Sequence, residues 1–453
     1  MDFYGQRILV IGMARSGVAA AQTLARRGAK VAIYDQKTKD KLTEELKKLE
    51  SYQIDYFLGI EPAISLNKYD LIVISPGVPL TIPLLHGAVG RKIPIWGELE
   101  LAFRISKSPI IGVTGTNGKT TTTALIGHIL KNAGFKIKVA GNIGIPLIQE
   151  VVDADEETFL VVEVSSFQLE TIKMFHCRAA ILLNITPDHL DRHKTVENYV
   201  TIKRRIFENQ GPQDFAILNY DDPLVRETAK MVKSKVIFFS KSHKLEQGIY
   251  FDAGVIKSSL KGEPEEIIKW DYIQLKGTHN LENSMAAIAA AMSFEVDKNS
   301  LRRSLHEFSG VPHRLEPVGI IDDVMYINDS KGTNPDATLK ALEAYRDRQI
   351  VLIAGGLDKG SSFEGLAEYL TEIKAKVVVF GQTAEKIKNA VEETGSGHCY
   401  MVQNLEEAVK TAKKIALVGG VVLLSPACAS WDMYNNYEER GEHFKRIVRE
   451  MMG

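Results

Sequence analysis

One pattern recurs along this chain: a short apolar run, a glycine-rich turn, then a stretch with helix-like spacing. An apolar run of about four to six residues suits a buried strand better than a buried helix. Repetition of the unit specifies βα units and a parallel sheet. The units come in three blocks. The first holds runs at 8–11, 30–34 and 71–74 and fades near Trp96-Gly-Glu-Leu-Glu100. The second opens at 109–113, continues at 159–163 and 179–184, and ends near Phe308. The third begins near Val311-Pro-His-Arg314 and carries runs at 350–354, 377–380 and 421–424. For 453 residues, at about 150 per domain, the expectation is an α/β chain of three domains. Their boundaries fall at 1–98, 99–311 and 312–453.

The charge balance narrows the partners. Lys and Arg total 56 against 57 Asp and Glu, a net charge of -1. That leaves no electrostatic footprint for nucleic acid or an anionic membrane. Cys177, Cys399 and Cys428 are too few and too scattered for a disulfide framework or a zinc cluster. Met1-Asp-Phe3 leads straight into a strand pattern, without the marks of a signal peptide. The longest apolar stretch, 415–424, is about half of what a membrane span needs. The expectation is a cytoplasmic, reduced protein without membrane insertion.

The sharpest motif is Val113-Thr-Gly-Thr-Asn-Gly-Lys-Thr120. A strand pattern enters it and a helix pattern leaves it, which is the setting of a phosphate-binding loop. Gly115 and Gly118 let backbone N–H groups face phosphate oxygens, Lys119 reaches the outer phosphates and Thr120 suits Mg²⁺. Val113 stands where the strict pattern has glycine. Glu163 ends a strand of the same block, a good place for a metal carboxylate. His189, in Asn184-Ile-Thr-Pro-Asp-His-Leu-Asp-Arg-His193, also follows a strand and is a candidate ligand or acid/base group. Lys203, by itself, reads as part of a solvated basic helix face.

In the first block, Gly12-Met-Ala-Arg-Ser-Gly17 follows a strand and starts a helix, and Asp35 ends the next strand. Ala14 replaces the second glycine of a dinucleotide fingerprint, so the motif fits a nucleotide diphosphate better than NAD. Ser75-Pro-Gly77 would share that rim. In the third block, Asp329-Ser-Lys-Gly-Thr-Asn334, Gly355-Gly-Leu-Asp-Lys359 and Ser425-Pro-Ala-Cys-Ala-Ser430 all follow strands. Ligands of open α/β sheets gather at such an edge.

In this order, the motifs resemble the Mur ligases, ATP-dependent amino-acid-adding enzymes of peptidoglycan precursor synthesis. Gly115-Thr-Asn-Gly-Lys-Thr120, Gly141-Asn-Ile-Gly144, His279-Asn280 with Asn283, His313-Arg314 and Asp329-Ser-Lys-Gly-Thr-Asn334 look like the superfamily set. Glu163-Val-Ser-Ser-Phe-Gln-Leu-Glu170, Trp96-Gly-Glu-Leu-Glu100 and Ser425-Pro-Ala-Cys-Ala-Ser430 look like its D-glutamate-adding branch. The resemblance implies a Rossmann-like N-terminal domain, a central P-loop ATPase-type domain with a mostly parallel sheet, and a Rossmann-like C-terminal domain that closes over it.

The resemblance also implies the site. The UDP part of UDP-N-acetylmuramoyl-L-alanine would meet Arg15, Ser16, Asp35, Gln36, Lys37, Ser75 and Gly77, with Asn142 and Gln168 on the same substrate. ATP would meet Gly115, Thr116, Asn117, Gly118, Lys119, Thr120, Thr121, Asn280, Asn283, Arg314 and Asp329. Two Mg²⁺ ions would be shared by Thr120, Glu163, His189 and Lys203, the last as a CO₂-derived carbamate. Lys119, His189, Lys203, Arg314 and Lys331 would serve catalysis. Thr333, Lys359, Ser430 and Tyr437 would hold D-glutamate. The implied reaction is amide formation through an acyl phosphate, by a monomer acting on small molecules. Against it stand a neighbouring ligase such as folylpolyglutamate synthase, an NAD-dependent oxidoreductase and a nucleotide-dependent switch that binds a protein partner.

Overall fold

The computed structural model describes residues 2–59, 66–142, 144–275, 277–357, 361–395 and 398–452, without the side chains at 191 and 336. The chain divides into two compact units, residues 1–308 and 309–453. Among the described residues the strands form three sheets.

The first sheet is parallel throughout, in the order Ile54–Leu58, Lys30–Asp35, Arg7–Ile11, Leu71–Ile74, Ile95–Gly97. Its central strands are apolar on both faces because helices cover both. Strand order reverses between Arg7–Ile11 and Leu71–Ile74, which opens a crevice at their C-terminal ends. Helix Arg15–Arg26 starts there and packs so closely that a side chain at Gly17 would collide with the Gly12 carbonyl.

The second sheet has nine strands, ordered Glu265–Lys269, Val255–Ser258, Gly248–Asp252, Lys235–Ser240, Phe215–Asn219, Ala179–Leu182, Ile110–Thr114, Phe159–Glu163, Ile137–Gly141. The pairs joining Gly248–Asp252 to Val255–Ser258, and Val255–Ser258 to Glu265–Lys269, are antiparallel; the others are parallel. This antiparallel extension is absent from the sequence reading. Ile110–Thr114 lies between Phe159–Glu163 and Ala179–Leu182, so the turns after all three strands share one rim.

The third sheet, in the second unit, runs Glu316–Ile321, Val324–Asn328, Val421–Leu424, Ile350–Gly355, Lys376–Phe380, Cys399–Met401. Its first pair is antiparallel and the rest are parallel. No helix of the described residues is long and apolar enough to cross a membrane.

Candidate active site

The phosphate loop is held by its neighbours. Gly118 caps helix Lys119–Asn132 with φ 82°, and a side chain there would collide with Asn283 Oδ1. Glycine is required by conformation and by space. Asn283 is itself placed by bonds to its carboxamide: Thr122 Oγ1 donates to its Oδ1 at 3.2 Å, and its Nδ2 donates to Asn280 Oδ1 at 3.1 Å. From the other side Asn184 clamps the loop. Its Oδ1 accepts from Asn117 N at 2.8 Å, its Nδ2 donates to Asn117 O at 3.2 Å, and its carbonyl accepts from Thr116 N at 2.9 Å. Lys119 Nζ folds back on its own loop, donating to Gly115 O at 2.9 Å and Thr116 O at 2.7 Å.

Three strand ends then meet. Thr120 Oγ1 donates to Glu163 Oε2 at 2.8 Å, and Asn142 Nδ2 donates to Glu163 Oε1 at 2.8 Å. Glu163 is 3% exposed, so this carboxylate is oriented at both oxygens. Lys203, from helix Val196–Arg204, is 1% exposed, which overturns its reading as a solvated face. Its Nζ donates to Gly115 O at 2.7 Å and lies 4.6 Å from the Tyr199 ring centre. Burial first, and then the charge of Lys119, push its pKa well below the usual lysine range, while Asp188 and Glu163 pull the other way. His189 is half exposed, with φ 52°; its ring sits 4.9 Å from Phe167 and 3.7 Å from Asp188 Oδ2.

The first crevice has a volume of about 150 Å³ and is lined by Gly12, Asp35, Gln36 and Gly77 among others. Asp35 braces it, accepting from Met13 N at 2.7 Å and Lys37 N at 2.9 Å. Ser75 is buried and donates to Gly12 O at 3.0 Å, so it fixes the turn. Arg15 and Ser16 open the helix, and Arg15 Nη1 donates to Gly144 O at 3.2 Å. That bond ties the crevice to the Asn142 loop. Gln168 is buried; its Oε1 accepts from Ser165 N, and its side chain also meets Glu98. Gln168 is committed to internal bonds.

In the second unit, Asp329, Ser425 and Gly355 end or follow adjacent strands. Asp329 is buried, accepts from Ser425 Oγ at 2.7 Å and Leu315 N at 3.2 Å, and is pushed up to about 6 by burial. Arg314 lies between His313 and Leu315, both at positive φ. Lys331 N donates to His313 O at 3.0 Å, and Lys331 Nζ is 5.9 Å from the Tyr437 ring centre. Thr333 follows in the same loop, with its N donating to Lys331 O. Ser430 is 2% exposed and Tyr437 begins helix Tyr437–Met452. Lys359 lies outside the described residues.

Comparison with known proteins resolves the family. Residues 6–97 match the MurD-like N-terminal domain of Mur ligases, 113–291 the Mur ligase middle domain, and 313–428 the Mur ligase glutamate ligase domain. The chain belongs to the Mur ligase family. The UDP-N-acetylmuramoylalanine–D-glutamate ligase of Pelotomaculum thermopropionicum is 50% identical over 448 residues, 99% of this chain and 98% of that one. The Clostridioides difficile enzyme of the same name is 45% identical over 100% of both. Among solved structures, the UDP-N-acetylmuramate-alanine ligase MurC of Thermotoga maritima shares the fold, with TM-score 0.56, 21% identity and coverage of 98% of this chain and 99% of that one.

As a Mur ligase, the chain is an ATP-dependent, Mg²⁺-using ligase of peptidoglycan precursor synthesis. Thr120 and Glu163 fit one Mg²⁺: they are hard oxygen donors side by side at the phosphate loop, with Glu163 held by Asn142. Among the described residues, no three His, Cys, Asp or Glu side chains cluster to hold a metal. A second ion therefore needs a further anionic donor, and Lys203 as an amine supplies none. Sequence reasoning missed Asn184 and Tyr199 as positioning residues, the latter with its hydroxyl 3.2 Å from Thr116 Oγ1. It also missed Arg440, whose buried guanidinium donates to Ser330 Oγ at 3.0 Å, Ser330 O at 2.9 Å and Cys428 O at 3.2 Å. Arg440 precedes Phe444 and Ile447 on the apolar face of its helix, and that spacing is the signal for its burial.

Proposed function

We propose that this Mur ligase joins D-glutamate to UDP-N-acetylmuramoyl-L-alanine in the cytoplasm, as a monomer, with ADP and phosphate released. The observation that carries the reading is 50% identity, over 99% of the chain, to a ligase of that name. An amide does not form from a free carboxylate in water without activation. The substrate carboxylate attacks the ATP γ-phosphorus, the bond to the ADP oxygen breaks, and an acyl phosphate results. The amine of D-glutamate then attacks the acyl carbon and phosphate leaves. Phosphoryl transfer is mostly positioning and charge neutralisation.

Lys119 donates to two loop carbonyls in its present rotamer, so swinging onto the phosphates exchanges bonds to neutral oxygens for pairs with anionic ones. Asn117, Gly118 and Thr121 belong to the loop and helix turn that face the phosphates, and Asn280 and Asn283 take the adenine side. Thr120 and Glu163 would hold Mg²⁺, whose chemistry there would be to neutralise charge on the transferring phosphoryl group. Lys203, buried and biased toward its neutral amine, has the nucleophile that CO₂ requires. Its nitrogen would attack CO₂ and lose a proton, giving a carbamate. That anion, with Glu163 and His189, would complete a second ion's donors. We assign Arg15, Ser16, Asp35, Gln36, Lys37 and Asn142 to the UDP-sugar. Arg314 and Asp329 go to the nucleotide, Lys331 to the reacting centre, and Thr333, Lys359, Ser430 and Tyr437 to D-glutamate. The test is ATP-dependent phosphate release with UDP-N-acetylmuramoyl-L-alanine and a panel of D- and L-amino acids, with product mass read in parallel. Release specific to D-glutamate with amide product supports the reading; phosphate release that needs no amino acid and yields no amide sinks it.

A further inference from the structure

The first unit holds a larger concavity away from the phosphate loop, a groove of about 510 Å³. Its floor includes Ile268, 6% exposed, on strand Glu265–Lys269. Its rim includes Lys269 and the exposed ring of Tyr272, together with Arg302 and Arg303 of helix Lys298–Glu307. The cations are set in place by the backbone. Arg302 Nε donates to Ile267 O at 2.6 Å and its Nη2 to Glu266 O at 3.2 Å. Arg303 Nη2 reaches Asn132 O at 3.5 Å. The adjacent Lys298 pairs with Glu265 at 3.5 Å, whereas Lys269, Arg302 and Arg303 make no ion pair among the described residues. Glu266 alone on the lining opposes them, which leaves the groove net positive.

A floor of buried aliphatic surface, an exposed aromatic ring and a surplus of cations complement one chemistry: an anionic head on a flat apolar body. We propose that this groove binds a small aromatic anion, a carboxylate or phosphate carried on a planar ring, and that occupancy changes the affinity for nucleotide. The path is short. Arg303 Nη2 makes a long contact, 3.5 Å, with the carbonyl of Asn132, the last residue of the helix that begins with Lys119 and Thr120. Asn132 Nδ2 also donates to Glu307 Oε2 at 3.1 Å, on the same helix as Arg303. A ligand that draws Arg303 into the groove takes this contact from the C-terminal end of the phosphate-loop helix.

The test uses calorimetry on the full chain with saturating Mg-ADP, which keeps probes off the phosphate loop. Phenyl phosphate and indole-3-acetate are the probes, and inorganic phosphate is the control. At least one aromatic anion should bind about tenfold tighter than inorganic phosphate, and which one binds distinguishes phosphate from carboxylate. Lys269→Glu with Tyr272→Ala should weaken binding about tenfold and leave turnover without probe unchanged. Saturating probe should shift the KM for ATP about twofold or more in the native chain and not in Arg303→Met. No binding, equal binding of inorganic phosphate, or equal binding to the double variant would overturn the site. Binding without a shift in KM would overturn the coupling. Binding is read by heat, so failure here is separate from any failure of the proposed reaction.

Discussion

Single residues carry the chemistry, and two lysines show how differently they do it. Lys119 donates to two carbonyls of its own loop, and its side chain is not part of the apolar core beneath it. Lys119→Ala should therefore remain folded by circular dichroism and lose activity about a hundredfold or more; surviving ATP turnover would remove it from the phosphates. Lys203 is buried against Gly115 O and Tyr199. Lys203→Ala should lose a similar factor and regain part of it with a short carboxylic acid, which replaces the carbamate oxygens. Full activity without rescue would make the lysine a brace only. Its sequence context could not separate these roles, because a basic residue on a helix reads as solvated until a neighbouring loop covers it.

At the scale of elements, turns after adjacent strands hold one another. Asn184 bonds both backbone groups of Asn117, so the strand before it positions the phosphate loop. Asn184→Ala should cost about 1–3 kcal/mol in urea unfolding and raise the KM for ATP, and an unchanged KM would free the loop from this clamp. Helix Glu98–Ile105 is joined to the Asn142 loop region in the same manner: Glu98 Oε1 accepts from Ile148 N at 2.7 Å. Burial raises the Glu98 carboxyl from 4.5 to about 7, against the pull of the Ile148 and Leu147 amides and the Gln168 side chain. Between those values the folded chain keeps a proton that the unfolded chain has released. Stability from this group is thus full below about pH 4.5 and is lost as pH rises through about 7. Glu98→Gln removes the titration and keeps an acceptor for Ile148 N. It should flatten the fall in stability between about pH 5 and about pH 8, an effect on the order of 3 kcal/mol. An unchanged slope would place the cause in other groups.

At the scale of the whole molecule, each unit has apolar clusters of its own among the described residues. One pair of clusters draws only on residues before 308, around Ile8, Val113 neighbours such as Ile110, and Leu182. The other pair draws only on residues after 309, around Leu352, Val379 and Phe444. A fragment of residues 309–453 should unfold cooperatively on its own, as followed by tryptophan fluorescence from Trp431 and by circular dichroism. A non-cooperative melt would mean its core is incomplete. The sequence blocks predicted strands in the interior of all three sheets, because strands buried on both faces are continuous apolar runs, but they passed over Phe215–Asn219 and Lys235–Ser240 in the middle of the nine-stranded sheet. Edge strands such as Ile54–Leu58 and the antiparallel hairpin beyond Gly248–Asp252 alternate with polar residues, so they left no such run.

Sequence alone determined what depends on local order. The placement of Gly118, Lys119 and Thr120 at a strand-to-helix turn was legible because spacing sets which groups sit at a helix start. The run ending in Glu163 was legible because a strand buried on both faces is a continuous apolar run. Tertiary structure alone decided which distant groups meet. Glu163 with Thr120, Asn283 against Gly118, Lys203 beneath Gly115 and Arg440 beneath Ser330 join residues about 40 to more than 160 positions apart. Burial then set their chemistry. A lysine in water is a cation whatever its neighbours in sequence, and only the removal of that water by packed side chains makes Lys203 a candidate nucleophile.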